Sequence, residues 1–365
     1  MHTVRDITQY LETFAPLSSQ ESYDNSGLIT GNFNNKVSGV LLSLDCTEAV
    51  IAEAISKGAN LVISHHPIVF KGLKSLTGKN YVERTIIKAI KNDISIYAIH
   101  TNLDNYVHGV NFEIGKRLGL KNLKILAPVK RKLNKISFFV PENYKEQVKT
   151  AMFEAGAGNI GNYSECAFES EGKGQFKPGQ SSNPFEGEKE KLHSSSELKI
   201  EILVSVHNTN NVIAAMQKAH PYEEVAYDVY QLENFNQTDG AGMIGELEVP
   251  VETNEFLFKV KETFKTGAIK HTKTTKKEIK KVAFCGGSGS FLIENAKKSK
   301  ADIYITGDLK YHEFFDADEQ IILEDIGHFE SEQFTPNLLN AILKKKFTKF
   351  AVHLSNVDTN PINYI

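Results

Sequence analysis

Cysteine is scarce in this chain of 365 residues, and its three copies lie far apart. Cys46, Cys166 and Cys285 lack the C-x-x-C spacing of a thiolate zinc site. We therefore expect neither a disulfide framework nor a thiolate zinc site. A reducing cytoplasm is the compartment that this usage favours.

Long uncharged apolar runs are also missing. No stretch approaches the roughly 18 apolar residues that a transmembrane helix needs. Arg5 and Asp6 stand where a signal peptide would have its apolar core. The formal net charge of -3 gives no case for binding nucleic acid or a membrane surface. These absences predict a globular, cytoplasmic protein, and its length of 365 residues predicts two or three domains.

The order of helix and strand patterns predicts an α/β fold of two lobes with an inserted domain. Apolar strands alternate with helical segments over residues 1–128 and again over 240–365, which is typical of a mostly parallel sheet. Residues 129–239 follow a βα…βαβ order that fits a ferredoxin-like α+β module. Within it, the polar stretch 172–196 is expected to be a long loop or a hairpin tip.

Two adjacent histidines, His65 and His66, follow the apolar run 61–64, which predicts a buried strand of a parallel sheet. Open α/β sheets place ligands at the carboxyl ends of such strands. Consecutive strand side chains point to opposite faces, so the pair suits two metals better than one. A pair of hydrogen-bonded loop histidines is the alternative.

Further histidines follow other predicted strands. His100 comes directly after residues 94–99, His312 six residues after a strand ending at Thr306, and His328 five residues after one ending at Leu323. This concentration of imidazoles at one edge of a predicted sheet indicates a functional site.

His328 and Glu332 are spaced i, i+4, which places both on one face of a helix. With His65, His66 and Asp104 they provide three nitrogen and two oxygen donors. That number suits two ions roughly 3.5–4 Å apart with a bridging carboxylate. The mixed donors suit Zn²⁺, Fe²⁺, Mn²⁺ or Ni²⁺ and exclude a calcium-type cage.

Two weaker signals have ordinary alternatives. The glycine run 285–290 lies between a strand and a helix and predicts either a tight turn or an anion site. Leu292 occupies the third glycine position of the Rossmann pattern, which therefore fails. Lys310 is either a group that reaches a substrate anion or an ordinary surface lysine.

Five motifs fall in order along the chain, namely Tyr23-Asp24-Asn25-Ser26-Gly27-Leu28, Ser64-His65-His66-Pro67, His100-Thr101-Asn102-Leu103-Asp104, Thr306-Gly307-Asp308 and His328-x-x-x-Glu332. Together they resemble the dinuclear-metal-centre proteins known as GTP cyclohydrolase I type 2 homologues. Tyr23 stands where that family usually has tryptophan. The long form of the family has a middle insert similar to PII and CutA-type trimeric regulators, which the turn 220–228 resembles here.

The resemblance implies two lobes around a cleft with two divalent transition-metal ions, zinc foremost, in a homohexamer. It carries the metal ligands onto His65, His66, Asp104, His328 and Glu332, and it implies opening of the GTP imidazole ring by a metal-bridging hydroxide with release of formate. His100 and His312 would then transfer protons. Tyr23, Asp24, Asn25 and Lys310 would bind the substrate. Hydrolysis of other nucleotides or phosphoesters, or a non-catalytic metal-responsive regulator, are the alternatives.

Overall fold

A computed structural model describes residues 2–130 and 132–365, except for the side chain of Gln237. The elements up to residue 130 are α1 (Val4–Glu12), β1 (Gly27–Thr30), β2 (Gly39–Ser43), α2 (Glu48–Ser56), β3 (Leu61–Ser64), α3 (Tyr81–Lys91), β4 (Ser95–Ala98), α4 (Thr101–Asp104), α5 (Val110–Arg117) and β5 (Lys121–Lys130). Those that follow, up to residue 252, are β6 (Leu133–Pro141), α6 (Lys145–Glu154), β7 (Ala167–Phe176), β8 (His193–Ser205), α7 (Thr209–Ala219), β9 (Tyr227–Leu232) and β10 (Phe235–Glu252).

The remaining elements are α8 (Thr253–Phe264), β11 (Lys270–His271), β12 (Glu278–Ser288), α9 (Ile293–Lys298), β13 (Ile303–Gly307), β14 (Ile322–Asp325), α10 (His328–Glu332), α11 (Thr335–Lys346) and β15 (Ala351–Leu354). Short 3-10 turns occur at Leu17–Ser19, Glu142–Tyr144, Val206–Asn208, Ser290–Leu292 and Tyr311–Ala317. The predicted α/β class is confirmed in its broad form, a mixed α/β fold with several sheets.

The chain divides into two compact units. Unit 1 contains the residues up to Pro128 together with Thr238–Ile365, and unit 2 is Val129–Gln237. None of the helices in the described residues has the length and apolar composition needed to span a membrane.

Two sheets build unit 1. The first has the strand order β1-β4-β3-β2-β15, with parallel pairing from β4 through β15. All four residues of β3 are buried, as expected for a central parallel strand. The second has the order β11-β14-β13-β12-β10-β5, with β12, β13 and β14 parallel.

The two sheets of unit 1 are connected through a shared core and exchanged strands. One hydrophobic cluster contains Ile63 and Tyr97 of the first sheet and Phe284 and Ile305 of the second. β15 comes from the C-terminal part of the chain and pairs with β2, whereas β5 comes from the N-terminal part and joins the second sheet.

Unit 2 follows the element order β-α-β-β-α-β around a sheet of order β7-β8-β6-β9. Its pairings are antiparallel, and Phe138, Ile200 and Met216 are among its buried core residues. Of the two expectations for the stretch 172–196, a long loop or a hairpin tip, the structure has the hairpin: the stretch contains the paired ends of β7 and β8, and 177–192 connects them. Cross-strand backbone hydrogen bonds order these polar residues, most of whose side chains stay exposed, although Ser195 is buried.

Candidate metal centre

Parallel strands of the first sheet deliver polar side chains to one edge of that sheet. Asp45 follows β2, His65 and His66 follow β3, and His100 follows β4. The chain bends at the two adjacent histidines, and their backbone N–H groups donate to the carbonyls of Ser43 and Leu44 at 3.2 and 2.9 Å. These backbone hydrogen bonds fix the positions of the two Cα atoms from which the imidazole side chains extend.

Helix α10 brings the remaining groups from the second sheet. His328 and Glu332 lie one turn apart, with 3.2 Å between His328 Nε2 and Glu332 Oε2. Between them, the Ser331 hydroxyl donates to the His328 carbonyl at 2.7 Å and accepts the Gly287 N–H at 2.9 Å. This bond holds α10 against β12.

Two clusters of metal-ligating atoms share Glu332. The His66 cluster consists of His66, His328 and Glu332, and the His65 cluster consists of His65, Asp104 and Glu332. In the His66 cluster, Nε2 of His66 lies 2.9 Å from Glu332 Oε2 and 3.3 Å from His328 Nε2. Two imidazole nitrogens that face each other at this distance beside a carboxylate suit a common cation.

The His65 cluster leaves buried polar atoms unsatisfied. His65 Nε2 lies 3.4 Å from Asp104 Oδ1 and 3.8 Å from Glu332 Oε1. Neither His65 Nε2 nor Asp104 Oδ1 has a hydrogen-bond partner among the described residues, although both atoms are buried. Such orphaned atoms are costly in a protein interior. A cation between them would satisfy both, so the residues present fit a metal.

The second ring nitrogen of each histidine is fixed by an acceptor. His66 Nδ1 bonds to Asp45 Oδ1 and His328 Nδ1 to Asp308 Oδ2, both at 2.7 Å. His65 Nδ1 bonds to the backbone carbonyl of Ile99 at 2.8 Å. Bonds of this kind place the proton on Nδ1 and direct Nε2 towards a metal.

Charge is concentrated at the centre. Burial raises the pKa of Asp104 to about 8, with the Glu332 charge adding to it. Burial acts against protonated His66 and His328, but the carboxylates of Asp45, Asp308 and Glu332 outweigh it and raise the pKa values to about 9 and about 11. The centre therefore favours positive charge, which divalent cations provide.

His100 lies beside these clusters but is held by a different carboxylate. Its Nδ1 bonds to Asp24 Oδ1 at 2.8 Å, and Asp24 Oδ2 accepts the Thr101 N–H at 3.1 Å. Burial disfavours the charged Asp24, but the hydrogen bonds from His100 and Thr101 reverse this and hold its pKa well below the ordinary value. The His100 ring lies 5.2 and 5.4 Å from the rings of His65 and His66.

A cavity of about 740 Å³ opens over the centre. Its wall includes exposed aromatic rings, and the tail of the chain contributes Thr359 to Ile362. The Thr359 hydroxyl donates to Asp45 Oδ2 at 2.6 Å. The tail is thereby connected to the residue that orients His66.

The glycine run 285–290 lets the Glu332 side chain pack directly against the backbone of β12. The predicted strand ended at Phe284, but β12 continues to Ser288, so the run is not the loop that either expectation assumed. Gly287 has φ +62°, and a Cβ there would lie 2.4 Å from Glu332 Oε1. Glycine is required because only it gives both the backbone conformation and the space.

The other predicted residues are placed unequally. Tyr23 lines the cavity, and the Asn25 side chain donates to the Val69 carbonyl at 2.6 Å. Lys310 and His312 are exposed and do not belong to the cavity lining. Sequence reasoning missed Asp45 and Thr359 as supporting residues. The signal for Asp45 was its position at a strand end beside the histidine pair.

Comparisons with known proteins agree on one family. A model of Duf34/NIF3 (NGG1p interacting factor 3) matches residues 2–361. A GTP cyclohydrolase 1 type 2 homolog of Halalkalibacterium halodurans is 41% identical over 364 residues, 98% of each chain. One of Bacillus subtilis is 38% identical over 367 residues, 99% of this chain and 98% of that protein.

Solved structures give the same result. A Bacillus cereus protein related to NIF3 superposes with a TM-score of 0.88 at 37% identity, covering 100% of this chain and 99% of that one. The resemblance inferred from the motifs is confirmed, and the chain belongs to the Duf34/NIF3 family.

Proposed function

We propose that this chain is a metal-dependent hydrolase with two divalent transition-metal ions, most simply zinc. The observation that carries the proposal is the sharing of Glu332, whose Oε2 faces His66 and His328 while Oε1 faces His65. One carboxylate between two imidazole clusters is the arrangement of a bridging ligand. His65 and Asp104 would hold one ion, and His66 and His328 the other.

When bound, two such ions acidify water and polarise the bond to be cleaved. The chain's own contribution is a proton carrier and a mainly apolar cavity. His100 Nδ1 is fixed by Asp24, so its Nε2 would be the atom that takes a proton from the attacking water or gives one to the leaving group. The mainly apolar lining over the centre reduces the amount of water around the reacting groups.

The relatives are named as homologs of a GTP cyclohydrolase, so opening of a purine imidazole ring with release of formate is the first reaction to test, with GTP as the nucleotide in that name. Other nucleotides and phosphoesters offer bonds that the same centre would hydrolyse. Lys310 and His312 gain no support from their exposed positions outside the cavity lining.

A non-catalytic, metal-responsive regulator is the second candidate. The β-α-β-β-α-β order of unit 2 supports a ferredoxin-like domain of the PII and CutA type, as predicted for residues 129–239. We retain the homohexamer and the cytoplasmic location as proposals. Light scattering on purified protein tests the first of these.

Metal counting on purified variants tests the dinuclear centre. Because Glu332 serves both clusters, E332Q should lose both ions, whereas D104N and H328A should each lose one. H271A is the matched control and should keep two ions, since the His271 ring is exposed and, among the residues that the structure describes, bonds to the Thr272 carbonyl alone. Equal metal content in E332Q and wild type would refute the shared ligand.

Turnover is measured separately on the metal-loaded protein. Formate and phosphate release are followed for a nucleotide panel with each reconstituted metal. Two bound ions without turnover of any nucleotide or phosphoester would favour the regulator.

A further inference from the structure

Glu21 presents an oriented carboxylate to the cavity over the metal centre. Its backbone N–H donates to Thr101 Oγ1 at 2.9 Å, and its Oε1 accepts from Asn105 Nδ2 at 3.1 Å. Asn105 is buried and also donates to the Ser19 carbonyl at 2.9 Å, which fixes the amide. Oε2 of Glu21 accepts no hydrogen bond from any described residue. One strong acceptor thus remains for a ligand.

Tyr23 lines the same cavity as Glu21 and the metal centre. Partial burial raises the pKa of its hydroxyl, and the negative charges of Glu21 and Asp104 add to this. The side chain of Tyr23 is 65% exposed, and Phe70, Tyr81 and Phe291 are further exposed rings in the cavity lining. Exposed aromatic faces of this kind bind planar ligands by stacking.

The charged groups of the lining disfavour polyphosphate. The lining has four carboxylates, and the described residues that line it include no lysine or arginine. Two divalent ions would only balance those four negative charges. Polyphosphate recognition normally uses lysine or arginine side chains, which provide excess positive charge. The four carboxylates are Glu21, Asp45, Asp104 and Glu332.

We propose that Glu21 and Tyr23 form a subsite for a planar nitrogen heterocycle that has two adjacent N–H donors and carries no polyphosphate. The free Glu21 oxygen accepts from the N–H edge while the Tyr23 ring stacks on the plane. A carboxylate matches such an edge because it only accepts hydrogen bonds. The inference rests on the proposed function in taking this heterocycle as the substrate of the metal centre.

Equilibrium binding to zinc-loaded protein tests the subsite with three probes. Guanosine has the two-donor edge, inosine lacks the amino group, and GTP adds the triphosphate. Wild type should bind guanosine about 10-fold more tightly than inosine, the size of one well-placed donor pair. GTP should bind no more tightly than guanosine. E21Q should reduce guanosine affinity to the inosine level and leave inosine within about 3-fold.

E294Q is the matched control, because Glu294 is exposed on α9 and its one ion pair within the described part of the chain is with Lys297. Zinc content and thermal unfolding of each variant show that the fold is retained. The subsite is overturned if GTP binds 10-fold more tightly than guanosine, if E21Q binds guanosine like wild type, or if guanosine does not bind at millimolar concentration. Glu21-dependent binding without turnover would refute the hydrolase and retain the subsite.

Discussion

The asparagine substitution of Asp45 separates the two clusters experimentally. D45N keeps the size of the side chain but removes the negative charge of the carboxylate, whose Oδ1 accepts the hydrogen bond from His66 Nδ1 at 2.7 Å. It also weakens the acceptor of the Thr359 hydroxyl. His65, in contrast, is oriented by the Ile99 carbonyl, which no side-chain substitution alters.

The expected magnitude follows from this asymmetry. Loss of a carboxylate partner of a metal-bound histidine typically costs 10–100-fold in metal affinity, which is about 1.4–2.7 kcal/mol. This loss should fall on the His66 cluster, whereas affinity at the His65 cluster should change by less than about 3-fold. D308N should give the same pattern, because Asp308 holds His328 in the same way.

Zinc titration in competition with a chromophoric chelator measures the two affinities stepwise. D316N is a control at an exposed position away from the cavity lining. If D45N weakens both zinc affinities equally, or neither of them, the assignment of Asp45 to one cluster is wrong.

Two further substitutions test local features. G287A should lower the metal content to less than one ion and destabilise the fold by at least about 1–2 kcal/mol, because the backbone there is left-handed and the new Cβ would clash with Glu332. G72A is the control, because a Cβ at Gly72 would meet open space. An unchanged metal content in G287A would contradict the close approach of Glu332. E83Q should speed tryptic cleavage of the loop 74–79, since the buried Glu83 carboxylate accepts the N–H groups of Thr77 and Gly78 at 2.8 and 2.9 Å. The Thr77 N–H and other donors lower the Glu83 pKa to about 2, so its stabilisation is present above about pH 4.5 and is lost as pH falls towards 2. Urea unfolding of E83Q and wild type should therefore converge over that range, with E294Q, at an exposed position of α9, as the control. A difference that persists at pH 2 would contradict this reasoning.

The sequence predicted the elements whose patterns are local. β3 occupies the predicted run 61–64 because four consecutive apolar residues suit a strand buried on both faces. The five proposed ligands lie together in the structure because strand ends and an i, i+4 pair are positions that a sequence displays directly. Their assignment as metal ligands remains a prediction until metal is measured.

Other features depend on long-range pairing and were not predictable. β10 pairs with β12, and β15 pairs with β2, although nothing in the sequences of β10 and β15 specifies those partners. Lys310 and His312 follow a predicted strand end, but the chain turns into an exposed 3-10 helix there and takes both out of the cavity lining. The role of Gly287 required the position of Glu332, a residue 45 positions later in the sequence.

The pairing of β15 with β2 has a consequence for synthesis of the chain on the ribosome. The edge of β2 that receives Ala351–Leu354 stays unpaired until those residues emerge, more than 300 positions after β2 itself. An exposed strand edge can pair with other chains. Pairing over so many residues also slows folding. The nascent protein therefore needs either protection of that edge or rapid completion of synthesis. If translation stopped before β15 emerged, the first sheet would keep an unpaired β2 edge although its other four strands had been made.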